Sequence, residues 1–252
     1  MTVALPARAK VNLDLEVVDR RDDGFHELRT TYQAVDLHDV LIMSRSKETT
    51  LTTRGLPINS KKENSVLQAH RALEAATKRT LPTRIHLHKR IPPGSGLGGA
   101  SSDAAAALRG LAAIHKLDTD LNEIAQAIGA DVAFFLKGGA ARGEGRGERL
   151  TSTEIVEGWF AIAWPGIELS TADVYRAWDQ VKGEGPNHLR RAAEKVEPAL
   201  KEFASKLNER NQWRMTGSGS AFFCRCESNE EAKKAIENLK CWTAVTRSVG
   251  PW

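Results

Sequence analysis

The alternation of apolar and polar residues near the start of the chain predicts a β-strand with one solvent-facing side. Residues 9–18 read AKVNLDLEVV, with Val11, Leu13, Leu15 and Val17 in one register and Lys10, Asn12, Asp14 and Glu16 in the other. Because successive side chains of a strand point to opposite faces, the two sets lie on opposite sides. Residues 24–46 continue in an extended style, and two prolines end a further predicted strand within residues 83–93.

Helical spacing of apolar residues appears in three places of the first half. It predicts helices within residues 63–79, from about Ser102 to His115, and within residues 120–139. In the last of these, Asp120 and Glu123 resemble a capping box and Gly129 is a suitable C-terminal stop. Residues 138–150 combine glycines with charged residues and predict a hairpin.

The order of elements changes after residue 150. We expect a strand at residues 158–165, then a loop, a long helix near residues 188–208, and a strand that contains FFCRC. A capped helix within residues 228–240 and a closing strand at residues 242–249 follow. This order favours a compact α+β domain, so we predict two domains, residues 1–150 and 151–252.

Composition and charge exclude several classes of protein. The chain has 252 residues, 41% of them hydrophobic, and no apolar run long enough to cross a bilayer. Its first residues lack the apolar centre of a signal peptide, so we expect a cytoplasmic protein without a membrane partner. The net charge of +4 suits an anionic ligand, but basic and acidic residues are interspersed, which argues against a nucleic-acid partner. Cys224, Cys226 and Cys241 are expected to be buried, reduced thiols that bind no zinc.

A glycine- and serine-rich stretch is the first candidate site. Residues 91–111 read IPPGSGLGGASSDAAAALRGL, and glycines leave backbone N–H groups accessible just before a predicted helix. Such groups bind phosphate at a helix N-terminus, and Ser95, Ser101 and Ser102 add hydroxyl groups for phosphate oxygens or magnesium. The stretch matches neither the P-loop nor the dinucleotide fingerprint. By itself it is equally well interpreted as a tight turn with a serine cap.

Two further patterns could carry chemistry. Lys10 and Asn12 share one side of the first strand, and Asp131 precedes the apolar residues of GADVAFF. A half-buried carboxylate of this kind could pair with Lys10, although a helix cap is the simpler interpretation. Residues 215–223, MTGSGSAFF, form a second candidate anion site or a plain turn into a strand. Two such loops could hold two phosphate-bearing ligands, a nucleotide and a phosphorylated acceptor, next to each other.

Three stretches resemble, in this order, the signature motifs of the GHMP small-molecule kinases. They are PARAKVNLDL at residues 6–15, IPPGSGLGGASSDAA at residues 91–105 and TGSGSAFF at residues 216–223. RRDDGFHEL at residues 20–28, with residues 129–148 and 165–179, is similar to the branch whose acceptor is a cytidine diphosphate-linked methylerythritol. The resemblance covers nearly the whole chain.

The resemblance implies an α+β fold of two domains with the active site between them. The N-terminal domain would be like ribosomal protein S5 domain 2, and the C-terminal domain would be ferredoxin-like. The implied reaction transfers the γ-phosphoryl group of ATP, with Mg²⁺, to the 2-hydroxyl of that small-molecule acceptor, in non-mevalonate isoprenoid precursor synthesis. The ligands of the metal, and the choice between monomer and homodimer, are left open.

The resemblance also implies roles for individual residues. Lys10 and Asp131 would be the catalytic pair. The ATP-binding set would be Pro93, Gly94, Ser95, Gly96, Leu97, Gly98, Gly99, Ala100, Ser101 and Ser102, with Asn64 and Lys89 near the adenine. The acceptor would contact Asn12, Phe25, His26, Thr171, Tyr175, Gly217, Ser218 and Gly219. Within this set His26 would hydrogen-bond the cytosine, and Phe25 and Tyr175 would sandwich it.

The chain departs from the family pattern in a few places and leaves alternatives open. Asn187, His188 and Leu189 stand where an Asn-Asp-Leu stretch is common, so an acidic side chain near the acceptor is missing. Ala133 replaces a usual proline, and Trp164 a usual lysine. The alternatives are a kinase for another small alcohol, a kinase that has lost turnover, and a non-catalytic S5-like RNA-binding domain. A steep fall in affinity for RNA with rising salt concentration would indicate the RNA-binding domain.

Overall fold

The first of two β-sheets is built on a long antiparallel hairpin at the start of the chain. The computed structural model describes residues 1–58, 63–208 and 212–252. The strands of this sheet are β1 (Thr2–Arg20), β2 (His26–Arg45), β3 (Thr50–Gly55), β4 (Thr83–Lys89), β5 (Ala140–Gly145) and β6 (Arg149–Ser152). β2 pairs with β1 along almost its whole length, and it also pairs with β4 and β5. β3 and β6 extend the sheet beyond β4 and β5.

Helices from the first half pack on this sheet. They are α1 (Ser65–Thr77), α2 (Gly99–His115), α3 (Leu121–Ile128) and α4 (Ala130–Lys137). α2 is central, because it contacts the other three helices and both strands of the hairpin. Its alanines and Leu108 pack with Leu73, Met43 and Ile85 in the first hydrophobic core.

The second sheet is antiparallel, with strand order β10-β7-β9-β8. Its strands are β7 (Trp159–Trp164), β8 (Arg214–Met215), β9 (Phe222–Cys226) and β10 (Trp242–Arg247). The helices of this half are α5 (Thr171–Val181), α6 (Arg190–Val196), α7 (Ala199–Asn208) and α8 (Asn229–Ile236). They form a second core with the sheet, to which the hairpin contributes Leu15, Val17 and Leu28.

A third apolar cluster joins the two sheets. Val11 and Val35 of the hairpin pack there with Phe160, Ile162 and Phe223 of the second sheet. The hairpin therefore belongs to all three cores, and the two sheets meet along it. This junction is where the candidate site lies.

The predicted strands are confirmed, but four helical regions differ from expectation. The one helix signal within residues 120–139 corresponds to two helices, α3 and α4, which meet at Gly129. α5 occupies a stretch that we expected to be a loop, and the side chain of Ser170 caps its first turn. The single long helix expected near residues 188–208 is two helices, because Pro198 cannot continue the hydrogen-bond ladder of α6. α2 begins at Gly99 instead of Ser102, so the end of the glycine-rich stretch is already helical. The domain boundary predicted at residue 150 falls inside β6.

The cysteines and the apolar segments carry two smaller results. Cys224 and Cys226 are free and buried in β9, as predicted, whereas Cys241 is free but only half-buried. Burial raises the pKa of Cys226 to about 12. Within the described ranges, no helix has the length and hydropathy needed to cross a membrane.

Candidate active site

The stretch between β4 and α2 forms a loop that requires glycine. Three positions have positive φ angles, namely Gly94 at 60°, Gly96 at 79° and Gly98 at 76°. The loop is fixed from both sheets: Lys10 N–H donates to Leu97 O at 3.0 Å, and Ala221 N–H donates to Ser95 O at 2.9 Å. Its backbone is therefore ordered before any ligand binds.

The loop leads directly into the N-terminus of α2. The first N–H groups of a helix have no partner within it, and here Ser102 N–H is bonded back to Gly98 O at 2.9 Å. The N–H groups of Gly99, Ala100 and Ser101 precede it, at the positive end of the helix dipole. The Ser102 hydroxyl is buried and has no hydrogen-bond partner among the described residues. This combination fits the phosphate groups of a nucleotide.

Two side chains of the loop point inward. Ser95 Oγ donates to Pro92 O at 2.6 Å and is buried. Leu97 is fully buried in the cluster between the sheets. The expected contact of the Ser95 hydroxyl with phosphate therefore does not fit this structure, because that hydroxyl stabilises the loop itself. Only the backbone of these two residues could contact a ligand.

The second glycine-rich loop, residues 216–220, packs against the first. A Cβ atom on Gly217 would lie 2.9 Å from Gly96 O and 3.0 Å from Lys10 Nζ, and its φ is +55°. Asn187 Nδ2 donates to Gly217 O at 2.9 Å and to Met215 O at 2.8 Å, which fixes this loop from outside. The two backbones thus approach as closely as glycine permits, with Lys10 beside them.

Lys10 points its ammonium group at three oxygen atoms. Nζ donates to Asn12 Oδ1 at 2.5 Å and to Gly96 O at 2.6 Å, and it lies 4.0 Å from Asp131 Oδ2. Burial lowers the pKa of Lys10, and the charge of Asp131 opposes this shift. The prediction that Lys10 and Asn12 share one side of a strand is confirmed, but that side does not face solvent. The second loop covers it, and Asn12 N–H donates to Thr216 Oγ1 at 2.9 Å.

Asp131 lies in the first turn of α4, and its predicted proximity to Lys10 is confirmed. Its Oδ1 atom accepts a hydrogen bond of 3.1 Å from the Tyr32 hydroxyl, while Oδ2 faces Lys10. The side chain is 32% exposed, whereas that of Lys10 is only 4% exposed. The carboxylate is therefore the member of the pair that a substrate can reach.

Polar residues from both sheets surround this pair. Asn12 Nδ2 donates to Thr30 Oγ1 at 2.8 Å, and Thr171 Oγ1 at the start of α5 lies 3.0 Å from Ser218 Oγ. Gly219 lies against the first loop, since a Cβ atom on Gly96 would be 3.0 Å from Gly219 O and 3.1 Å from Gly219 N. The structure therefore gathers, on one side of Lys10, the acceptor residues expected from β1, α5 and the second loop.

The residues expected to recognise a nucleobase lie where β2 begins. The ring of His26 stacks on that of Tyr175, with centroids 5.0 Å apart and an interplanar angle of 23°. His26 Nε2 lies 2.8 Å from Asp179 Oδ1. Phe25 is 52% exposed, and the Arg146 guanidinium lies 4.8 Å from its ring centre. Tyr175 thus uses one face for His26, and Phe25 presents its ring to solvent.

Lys89 and Asn64, expected near an adenine pocket, have structural partners instead. Lys89 Nζ donates to Asp39 Oδ2 and, at 2.7 Å, to Asp103 Oδ2, and all three side chains are buried. Asn64 caps α1, because its side chain accepts a hydrogen bond of 2.9 Å from Val66 N–H. The Lys89 ammonium group is therefore enclosed by two carboxylates, which leaves it unsuited to contact adenine directly.

Three polar residues that shape the site had no role in the prediction from sequence: Tyr32, Asn187 and Asp179. Tyr32 and Asp179 lie 99 and 153 positions from their partners Asp131 and His26, and Asn187 lies 28 positions from Met215, so local spacing gave no signal. The one available signal was Asn187, the unchanged residue beside the substituted His188. His188 Nδ1 accepts from Val17 N–H at 3.2 Å, so this side chain pairs with the backbone of β1.

Two family profiles match the chain. The profile of the GHMP kinases N terminal domain covers residues 64–139, and that of the GHMP kinases C terminal covers residues 174–243. The first spans the phosphate loop and Asp131, and the second spans β8, β9 and the glycine loop between them. The chain belongs to the GHMP kinase family.

Individual relatives narrow the assignment to one branch of this family. The 4-diphosphocytidyl-2-C-methyl-D-erythritol kinases of Marinobacter nauticus and Ectopseudomonas mendocina are 35% and 38% identical, over 92% and 93% of this chain and 88% and 86% of theirs. A crystal structure of 4-(cytidine 5'-diphospho)-2C-methyl-D-erythritol kinase superposes with a TM-score of 0.82 at 33% identity, covering 98% of this chain and 99% of the other. Homoserine kinase from Cytophaga hutchinsonii, at 18% identity and a TM-score of 0.66 over 99% and 95% of the two chains, shares the fold. Within the GHMP kinases, the chain therefore falls in the 4-diphosphocytidyl-2-C-methyl-D-erythritol kinase branch.

Proposed function

We propose that this protein transfers the γ-phosphoryl group of ATP to the 2-hydroxyl of 4-diphosphocytidyl-2-C-methyl-D-erythritol, in the synthesis of isoprenoid precursors. The observation that carries the proposal is the Lys10–Asp131 pair, 4.0 Å apart at the mouth of a glycine loop. The relatives in the same branch support the choice of acceptor. A cytoplasmic location, and a monomer or homodimer, stay predictions of the sequence.

The loop and the start of α2 supply the nucleotide half of the site. Free N–H groups at the helix start would bind the phosphate groups of ATP, and the helix dipole would favour their negative charge. Because the two loops already touch at Gly96 and Gly217, the transferred phosphoryl group would sit close to Lys10 Nζ. Catalysis of phosphoryl transfer depends mainly on such positioning and on charge stabilisation.

Magnesium fits the residues present. It prefers oxygen ligands and often keeps several waters and phosphate oxygens in its shell. The unpartnered Ser102 hydroxyl, with that of Ser101 beside it, is the best placed protein donor. Within the described ranges no three His, Cys, Asp or Glu side chains are grouped for a metal, as suits an ion held mainly by phosphate. Bound there, magnesium would neutralise phosphate charge during transfer.

Asp131 and Lys10 would handle the acceptor hydroxyl. Asp131 Oδ2 is free of the Tyr32 hydrogen bond, so it is the atom that would take the hydroxyl proton as the acceptor oxygen bonds to phosphorus. The bond from phosphorus to the ADP oxygen breaks in the same transfer. Lys10 would stabilise the charge on the oxygens and hold Asp131 ionised. The buried ammonium group is fixed by Asn12 and Gly96, so little reorganisation is needed.

Phe25 and His26 at the start of β2, with Tyr175 on α5, would bind the cytidyl group. His26 offers the polar edge, and Phe25 and Tyr175 offer flat faces on which a base can stack. Phe25 is exposed and adjacent to a turn, so it can close on the base without disturbing the core. This pocket is what would separate the cytidyl acceptor from a smaller alcohol.

A coupled ADP-release assay with ATP and magnesium tests the proposal. The acceptors are 4-diphosphocytidyl-2-C-methyl-D-erythritol, mevalonate and homoserine. We expect turnover with the first alone, and we expect Asp131→Asn to lower its kcat at least about a hundredfold while nucleotide binding persists. Asp118→Asn, an exposed aspartate between α2 and α3, is the matched control. Turnover with another acceptor, or near-normal turnover of Asp131→Asn, would disprove the proposed acceptor or mechanism respectively.

A further inference from the structure

The last residues of the chain return from the second sheet to the first. After β10, Ser248 bridges to Val35, and Pro251 bridges to Gly138 at the end of α4. Val249 N–H donates to Ala34 O at 3.1 Å. We call residues 248–252 the C-terminal strap.

The strap ends in an indole that caps α4. Trp252 Nε1 donates to Phe135 O at 2.9 Å, and Trp252 N–H donates to Lys137 O at 3.1 Å. The last carbonyl groups of a helix have no partner within it, so these bonds complete its C-terminal end. Gly138 leaves room for this, because a Cβ there would lie 3.3 Å from Trp252 Nε1.

Two arginines stack on the same indole. The guanidinium carbon of Arg8 lies 4.1 Å from the ring centre of Trp252, and that of Arg109 lies 4.0 Å from it. Arg8 Nη1 also donates to Gly250 O at 3.1 Å. Arg109 Nη1 is buried and has no hydrogen-bond partner among the described residues, so the ring is its main stabilising contact.

Each element that touches Trp252 carries one part of the active site. Arg8 lies on β1, two residues before Lys10. Arg109 lies on α2, whose N-terminus follows the phosphate loop, and Phe135 lies one turn after Asp131 on α4. We propose that Trp252 is a positioning residue that holds these three elements in register, and so sets the Lys10–Asp131 separation. This inference rests on the proposed kinase activity, but it can be measured without turnover.

Small displacements of the catalytic groups are enough to lower the reaction rate. A misplacement of about 1 Å of groups that must be aligned can cost about a hundredfold in rate. Trp252 contacts neither the loop nor Asp131 directly, and its own side chain is 38% exposed. Its removal should therefore loosen the relation between the elements before it unfolds either core.

The kinetic test compares Trp252→Phe and Trp252→Ala with the control Trp242→Phe, which alters a half-buried tryptophan of the second sheet, on β10. At a temperature where all variants are folded by circular dichroism, we expect kcat to fall about 10- to 100-fold in Trp252→Ala. Trp252→Phe keeps a ring for the arginines but lacks the Nε1 donor, and should fall less. The KM for ATP should change less than about threefold, because the loop is fixed by other bonds.

The second readout needs no substrate. The chain has only two tyrosines, Tyr32 and Tyr175, so fluorotyrosine labelling gives one ¹⁹F resonance for each. We expect Trp252→Phe to shift the Tyr32 resonance, which reports the bond to Asp131, and Trp242→Phe to leave it unchanged. An unshifted resonance with wild-type kcat would overturn the proposal and leave the strap a purely stabilising contact. If no acceptor is turned over at all, the proposed function fails while the resonance still decides the role of Trp252.

Discussion

The hydroxyl of Tyr32 donates a hydrogen bond to Asp131 over 3.1 Å, on the oxygen that does not face Lys10. Burial, followed by the negative charge of Asp131, raises the pKa of Tyr32 well above its usual value. The hydroxyl therefore keeps its proton and acts as a donor throughout the pH range of an assay. This bond orients the carboxylate and leaves Oδ2 for the substrate.

Tyr32→Phe should lower kcat about tenfold, because a hydrogen bond to a charged group contributes about 1.5 kcal/mol or more. Steady-state kinetics with both substrates measure this, and the KM for ATP should not change. A double variant with Asp131→Asn separates the possible causes. If Tyr32 acts through Asp131, the double variant is no slower than Asp131→Asn alone. Additive losses would contradict that role.

Lys10 gives a prediction for alkaline pH. Since burial lowers its pKa, kcat should fall with a midpoint below the usual value of 10.5 as the ammonium group loses its proton. The contribution of Lys10 to the free energy of unfolding should instead rise over this pH range. Between the two pKa values the unfolded chain binds more protons than the native one, so this site's contribution to the free energy of unfolding rises with pH.

The measurement is kcat from pH 7 upward, beside urea unfolding of the wild type and of Lys10→Met over the same pH values. The difference in free energy of unfolding between wild type and variant should shift in favour of the wild type as pH rises. A decline of kcat that tracks loss of folded protein would refute the assignment to Lys10.

The buried group of Lys89, Asp39 and Asp103 predicts a large stability effect. Burial alone would lower the pKa of Lys89, but the charges of Asp103 and Asp39 raise it on balance. Lys89→Met leaves two carboxylates buried without a cation, which should cost about 3–5 kcal/mol in urea unfolding. Adding Asp103→Leu should recover part of this loss. An unchanged stability with a raised KM for ATP would instead support the adenine contact expected from the sequence.

Asp179 predicts a change in acceptor binding. The hydrogen bond from His26 lowers the pKa of Asp179, so the carboxylate is ionised at neutral pH and fixes one nitrogen of the ring. Asp179→Leu removes the acceptor and should raise the KM for the cytidyl substrate about tenfold. Asp179→Asn keeps an acceptor oxygen and should lie close to wild type. Equal effects of both variants, or a change in the KM for ATP, would exclude this role.

Local patterns were enough for the parts of the fold that depend on near neighbours. β1 followed from its alternation, α1 from the spacing around Leu73, and the end of α3 from Gly129. α5 was missed although Val174, Ala177 and Trp178 have helical spacing and Ser170 stands before them as a cap, so both signals were present in the sequence. The break at Pro198 could have been predicted from the proline alone.

The candidate site likewise contains some residues that local motifs predict and others that they do not. The glycine loops and the Lys10–Asp131 pair were visible in the sequence because each carries a motif. The partners of Lys89, the Tyr32 hydroxyl and the cover over Asn12 were not, since each contact joins different elements of the fold. The first two depend on how α2 and α4 pack on the first sheet, and the third on how the second glycine loop packs on β1, which no local window of residues records.

The long hairpin also determines whether the second half of the chain can be separated from the first. Leu15, Val17 and Leu28 complete the second core, while Ala7, Tyr32 and Leu41 of the same two strands belong to the first. Among the described residues, a gene fragment for residues 151–252 would contain β7 to β10 and α5 to α8 without the apolar residues that the hairpin provides. The two family profiles therefore do not mark exchangeable modules, and a chimera that swaps the second half between kinases must also match the hairpin.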